Sequence, residues 1–280
     1  MVGKIRKWMQ SHPVVVGLAG LAIGYAGIKY VPEPNKVAEI LNRAMLSVIM
    51  LAIMAAVGGR EAFRWEKGSF VRSARLYRSM LVVAVVLGVA IFASNAWLAG
   101  GVPVAGWGGR LALLVVEYFF VGLFEETCFR GVLMGGLVTK WGNTRKGLWG
   151  AMVISGLVFG FVHVASALFG VMTAATALQM FSKTFTTAFM GILIGAVYLE
   201  TRNIWAVSIL HGFSDLVLMI GSGVYAAEGI TLTYVNAEQG VADSVFGLVG
   251  ASLIHLWPLI AGIKLTKKLP LPQKGAWKDA

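Results

Sequence analysis

LALLVVEYFFVGLFEETCFRGVLMGGLV, residues 111–138, decides how the rest of the chain is read. The stretch is apolar enough and long enough to cross a bilayer, which takes about 20 mostly apolar residues. Yet it carries Glu117, Glu125, Glu126 and Arg130. A charge near the bilayer centre costs about 2.5–3.5 kcal/mol on insertion scales. Ionisable groups held at that cost belong in a bundle interior or a water-filled cavity, and they mark function.

The flanking sequence repeats the apolar pattern. Of the 280 residues, 58% are apolar and 13% charged, against roughly 25% charged in a soluble domain. Mean hydropathy is +0.76. Further spans are predicted at about Pro13–Ile28, Val37–Val57, Met80–Leu98, Leu148–Phe169, Phe185–Leu199, Ile204–Ile220 and Val245–Ile263. The fold class is therefore all-α, a polytopic membrane bundle of about eight transmembrane helices. The basic Met1–His12 segment ahead of the first span resembles a signal peptide's charged region, but no small-residue cleavage site stands out, and an uncleaved span is the preferred reading.

The net charge of +11 does not point to nucleic acid, because the basic residues sit in short segments between apolar blocks. They occupy the N-terminus, Arg60–Arg78, Lys140–Lys146, the Arg202 turn and the tail from Lys264 to Lys278. The alternating loops, Gly100–Gly109, Ala165–Gln179 and Gly223–Asp243, hold no Lys or Arg. This alternation predicts both termini in the cytoplasm, with the plasma (inner) membrane as location. The stretch between the first two spans is the exception: Lys29, Lys36 and Arg43 stand there beside Glu33 and Glu39. Trp97, Trp107 and Trp205 read as interfacial anchors. Cys128 is the single cysteine, so intrachain disulfides and multi-thiolate metal sites are excluded. Three segments are expected: residues 1–110 with the N-terminal helices and basic loop, a catalytic core over 111–221, and 222–280 with an extracytoplasmic loop, the last helix and the tail.

The chemistry concentrates in three spans. Glu126 and Arg130 are spaced i, i+4 and share a helix face, so they can pair. Glu125 is rotated about 100° from Glu126 and stays free, as a general base requires. His163 ends the run Phe159–His163, and His211 and Asp215 form another i, i+4 pair. The simplest arrangement gathers Glu125, His163, His211 and Asp215 around one wetted cavity. Glu117 is placed at its entrance or at the interface, Cys128 is expected to be a packed thiol, and His255 to be structural. Two His and two carboxylates (Glu125, His163, His211, Asp215) could alternatively hold Zn²⁺, but no HExxH signature is present and no cofactor is expected.

Glu125-Glu126-Thr127-Cys128-Phe129-Arg130, Phe159 to His163, and His211 to Asp215 resemble, in order, the EExxxR, FxxxH and HxxxN/D motifs of the CAAX protease and bacteriocin-processing (CPBP/Abi) family. The resemblance covers about Leu111 to Ile220. It implies a glutamate-type intramembrane endopeptidase acting on a membrane-associated protein or peptide. In that family Glu125 and His163 would activate water, Arg130 would orient Glu126, and His211 and Asp215 would support the oxyanion. Asp215 stands where the prenyl-protein branch usually has Asn, and an ionised Asp cannot donate to an oxyanion. The competing functions are a non-catalytic membrane protein on the same scaffold, such as a bacteriocin immunity factor or assembly partner, and a proton-coupled transporter.

Overall fold

A computed structural model describes residues 2–225 and 234–272. Glu228 of the α9–α10 connection and the tail residues Lys274 and Lys278 lie outside the described residues. The helices are α1 (Val2–Ser11), α2 (Pro13–Tyr30), α3 (Lys36–Val57), α4 (Ser69–Leu98), α5 (Trp107–Glu126), α6 (Gly135–Trp141), α7 (Arg145–Val162), α8 (Ala174–Thr201), α9 (Ile204–Tyr225) and α10 (Val241–Lys268). Between α5 and α6 the helix does not break. It widens into a π-helical segment, Thr127–Met134. The protein is an integral membrane protein, with seven helices long and apolar enough to cross a bilayer: α2, α3, α4, α7, α8, α9 and α10. The stretch running through α5, the π segment and α6 is set apart by its own charges.

The boundaries that differ from the sequence reading do so for local reasons. Helix α4 begins at Ser69 rather than near Met80, so Arg72, Arg75 and Arg78 extend the helix beyond its apolar part. Helix α8 begins at Ala174, well inside the expected Ala165–Gln179 loop, because Thr173 and Thr176 form a capping box. Such a box satisfies two orphan backbone donors and fixes a helix start independently of hydropathy. Helix α7 stops at Val162, and His163 is its C-cap rather than a residue inside a span continuing to Phe169. The His163 Nδ1–H donates to the Phe159 carbonyl at 2.6 Å, which offers that carbonyl a side-chain partner at the point where the helix ends. A 3₁₀ turn, Ala165–Phe169, follows.

The tight α8–α9 connection does match expectation. Arg202 takes a left-handed conformation (φ 51°), and Asn203 caps α9 by accepting from the Ala206 N–H at 2.9 Å while its amide donates to Ser69 Oγ at 2.7 Å.

Helix α9 packs between α4 and α5, and α8 packs between α7 and α10. The closest approaches occur at small residues, as expected where lipid supplies no hydrophobic drive and helices associate by close contact. A Cβ on Gly212 of α9 would stand 2.1 Å from the Tyr118 carbonyl oxygen of α5, and one on Gly160 of α7 would stand 2.1 Å from the Thr184 carbonyl oxygen of α8. These two contacts draw α9 onto α5 and α7 onto α8. The basic segments gather at one end of it: Arg72 pairs with Glu200, and Arg145 Nη1 donates to the carbonyls of Thr266 and Leu269 at 3.1 and 2.9 Å.

Overpacking costs roughly 1–3 kcal/mol. Gly212→Val is therefore expected to lower the thermal midpoint of the detergent-solubilised protein clearly. Gly250→Val, where a Cβ meets nothing within 4 Å, is expected to leave it in place. Equal midpoints for the two variants would show that the α5–α9 approach carries no such constraint.

Candidate active site

The centre of the bundle is charged. Arg130 and Glu126 are 1% and 0% exposed, and Arg130 Nη1 lies 3.0 Å from Glu126 Oε1. The same oxygen receives His211 Nδ1 at 2.6 Å. One carboxylate oxygen thus ties the π segment to α5 and both to α9. The guanidinium is covered by the Phe159 ring, with its carbon 4.3 Å from the ring centroid, a favourable placement for a desolvated cation. Thr127 supports the turn: its hydroxyl donates to the carbonyls of Leu123 and Phe124 at 2.7 and 3.0 Å. These carbonyls lie where the ladder passes from α to π. π-bulges are rare and concentrate at functional sites.

Glu125 points the other way, into a cavity of about 570 Å³. Its Oε1 lies 3.8 Å from His163 Nε2, and its Oε2 lies 3.6 Å from His211 Nε2. Asp215 Oδ2 lies 3.4 Å from His211 Nε2. All six sequence candidates, Glu125, Glu126, Arg130, His163, His211 and Asp215, are thereby brought together.

The two imidazoles differ. Because the His163 Nδ1 donates to the Phe159 carbonyl, a neutral His163 presents Nε2 as an acceptor towards Glu125. His211 faces carboxylate oxygens on both sides, Glu126 at Nδ1 and Glu125 and Asp215 at Nε2, an arrangement in which both nitrogens can donate. Glu125, His211 and Asp215 also offer ligand atoms within 4.8 Å of one another, enough to consider a metal.

The cavity runs from this cluster towards the connection between α2 and α3. Leu21, Tyr25, Val121 and Phe124 give it apolar walls. At its mouth Glu117 accepts from Lys36 at 2.9 Å, Lys36 also meets Glu39 at 2.8 Å, and Arg43 pairs with Glu33 at 2.6 Å. The Lys29–Arg43 stretch that breaks the charge alternation is thus largely neutralised by its own acids and by Glu117. Cys128 is buried and lines the cavity. His255 lies apart, its Nδ1 on the Ala251 carbonyl at 2.8 Å. Trp97 and Trp107 are exposed, whereas the Trp205 indole is tied to the Phe63 carbonyl at 3.0 Å.

Lys183, Gln179 and Tyr234 escaped the sequence reading. Lys183 lines the cavity and sits 3.9 Å above the Tyr234 ring, which packs edge-on against His163 at 5.7 Å. Gln179 fastens that loop: its amide donates to the Asn236 carbonyl at 3.1 Å and its oxygen accepts the Asn236 N–H at 2.6 Å. Lys183 was detectable in principle as an isolated cation in an apolar helix. Tyr234 and Gln179 carry no sequence signal.

Residues 107–217 match the model of a family described as type II CAAX prenyl endopeptidase Rce1-like. No curated protein and no solved structure gives a significant match.

Breaking a buried pair by removing one partner costs about 3–5 kcal/mol, because the other charge is left uncompensated. Arg130→Met is expected to destabilise the protein by that order. In a Glu126→Gln background the same substitution should cost much less. A double-mutant cycle on thermal midpoints reads the difference, and additive costs would mean the two side chains are not coupled.

Proposed function

We propose that the chain is an intramembrane endopeptidase cleaving a membrane-associated protein or peptide, since residues 107–217 match the model of a family of type II CAAX prenyl endopeptidases. The observation that carries the reading is Glu125 standing free of Arg130 between the two Nε2 atoms of His163 and His211. A water bound at about 2.8 Å to both Glu125 Oε1 and His163 Nε2 would sit at the apex of their 3.8 Å separation. Either group can take its proton as its oxygen bonds to the peptide carbonyl carbon. The C–N bond then breaks and the proton passes to the leaving amine.

His211 supplies the electrophilic side. As an imidazolium, His211 donates Nδ1–H to Glu126 and aims Nε2–H into the cavity for the developing oxyanion. Asp215 acts on His211 rather than on substrate. This resolves its replacement of Asn, since a carboxylate orients an imidazole N–H as well as an amide oxygen does.

The reaction as proposed needs no metal. The second reading, a Zn²⁺ held by Glu125, His211 and Asp215 with His163 nearby, is favoured by the clustering of ligand atoms and by the anchored Nδ1 of each imidazole, the usual support for a ligating His. A metal there would polarise the carbonyl and lower the pKa of bound water.

The catalytic core is proposed to span residues 111–221, with the stretch Trp107–Trp141 as an eighth crossing. Both termini are then cytoplasmic, on the basic side, in the plasma (inner) membrane. The cavity residues Lys29, Arg43, Glu117, His163 and Lys183 lie towards the helix ends opposite the basic segments, with Asp215 midway along α9. The cavity therefore opens away from the cytoplasm, and its substrate arrives from the extracytoplasmic side.

Glu125→Gln and His163→Ala are expected to cut cleavage by about 10²–10⁴-fold, the range of general acid–base contributions, while the protein stays folded and inserted. Comparative membrane proteomics against wild type, scored for uncut precursors, measures this, and retained processing in either variant would defeat the assignment. Asp215→Asn is expected to keep activity within about tenfold, and chelators to leave it unchanged. Loss of activity on chelation with recovery on Zn²⁺ would select the metal reading.

For the opening, Lys29→Cys in a Cys128→Ala background is expected to react with a membrane-impermeant maleimide added to intact cells. Reaction only after the cells are broken would reverse the orientation.

A further inference from the structure

A cavity bordered by Glu39, Glu117, Glu125 and Asp215 should repel an acidic ligand unless a cation is kept free inside it. The cations in and near this cavity differ in that respect. Arg43 is held by Glu33 at 2.6 Å and faces Glu39 at 3.7 Å. Lys29 is exposed, at the rim. Arg130 is committed to Glu126 and covered by Phe159.

Lys183 is the exception. It lies partly buried on the α8 wall. Among the described residues, no carboxylate oxygen lies within 4.0 Å of its ammonium. Its close neighbour is an aromatic face, the Tyr234 ring at 3.9 Å. A cation on a ring keeps its remaining N–H donors for another group. A lysine kept in this setting is costly, and a ligand carboxylate would offset that cost with a charge-assisted hydrogen bond.

The position suits a substrate. Tyr234 touches both Lys183 and His163, so a carboxylate on Lys183 would lie one aromatic ring away from the proposed water-activating pair. The Gln179–Asn236 hydrogen bonds keep Tyr234 in that place.

We propose that Lys183 is a carboxylate-binding site that anchors the substrate segment beside the scissile bond, and so selects substrates with a negative group there. As a substrate site it rests on the peptidase reading. The carboxylate is either the substrate's free C-terminus or an acidic side chain close to the cut, and both present the same chemistry to the ammonium.

The test separates binding from cleavage. The full chain in nanodiscs, inactivated by Glu125→Gln, is titrated with fluorescent S-farnesyl tetrapeptides of three kinds. One ends in a free carboxylate, the second is its C-terminal amide, and the third is an amide carrying an internal Glu. At least one of the acidic peptides is expected to bind tenfold or more tightly than the neutral amide. Lys183→Met should erase that preference and Lys183→Arg should restore much of it. Which acidic peptide is preferred identifies the source of the carboxylate. Equal binding of all three, or a preference that survives Lys183→Met, overturns the proposal. The same peptides are then given to the protein with Glu125 intact. Charge-selective binding without cleavage of any peptide or cellular precursor would sink the peptidase reading and leave the anion site standing.

Discussion

One carboxylate oxygen organises this protein. Glu126 Oε1 pairs with the Arg130 guanidinium and accepts from the His211 imidazole at once, in the middle of a bundle where neither charge would be tolerated alone. Because the two partners arrive from different elements, the π segment and α9, meeting both at one oxygen fixes the distance between them. The close contact of Gly212 with the Tyr118 carbonyl makes that distance attainable. Packing and charge neutralisation are here one constraint, met by the same pair of helices.

The proposed catalytic role rests on what this constraint leaves over. Neighbouring carboxylates on one helix cannot face the same way, so when Glu126 takes the cations, Glu125 is turned into the cavity. His211 is shared between them: its Nδ1 serves the structural pair, and its Nε2 faces Glu125 and Asp215. His163 reaches the same space because α7 ends there, with its Nδ1 taken up by Phe159. Each imidazole of the proposed reaction centre is thus held by a nitrogen that takes no part in the reaction, which is what preorganisation requires.

Much of this was legible in the residues. Intramembrane charge is so expensive that Glu125, Glu126, Arg130, His211 and Asp215 had to converge, and i, i+4 spacing told which carboxylate would be paired. The helix ends were less legible. Hydropathy senses lipid and not hydrogen bonding, so it overlooked the capping box that starts α8 at Ala174 and the His163 side chain at the end of α7. The π-helical turn has no pattern that an i, i+4 reading would detect. Lys183 fell between a predicted loop and a predicted span, and Tyr234 and Gln179 matter through contacts across the fold that linear spacing does not encode.

The widened turn at Thr127–Met134 amounts to one surplus residue absorbed within a continuous helix. Taking a residue out of it would restore an ordinary α ladder without disturbing Glu125 or Glu126, which precede it. Everything from Gly135 onward would then swing by about 100° about the axis, turning a different face towards α2 and α7. The face that the second half of this helix turns towards its neighbours is therefore set separately from the half that carries Glu125 and Glu126.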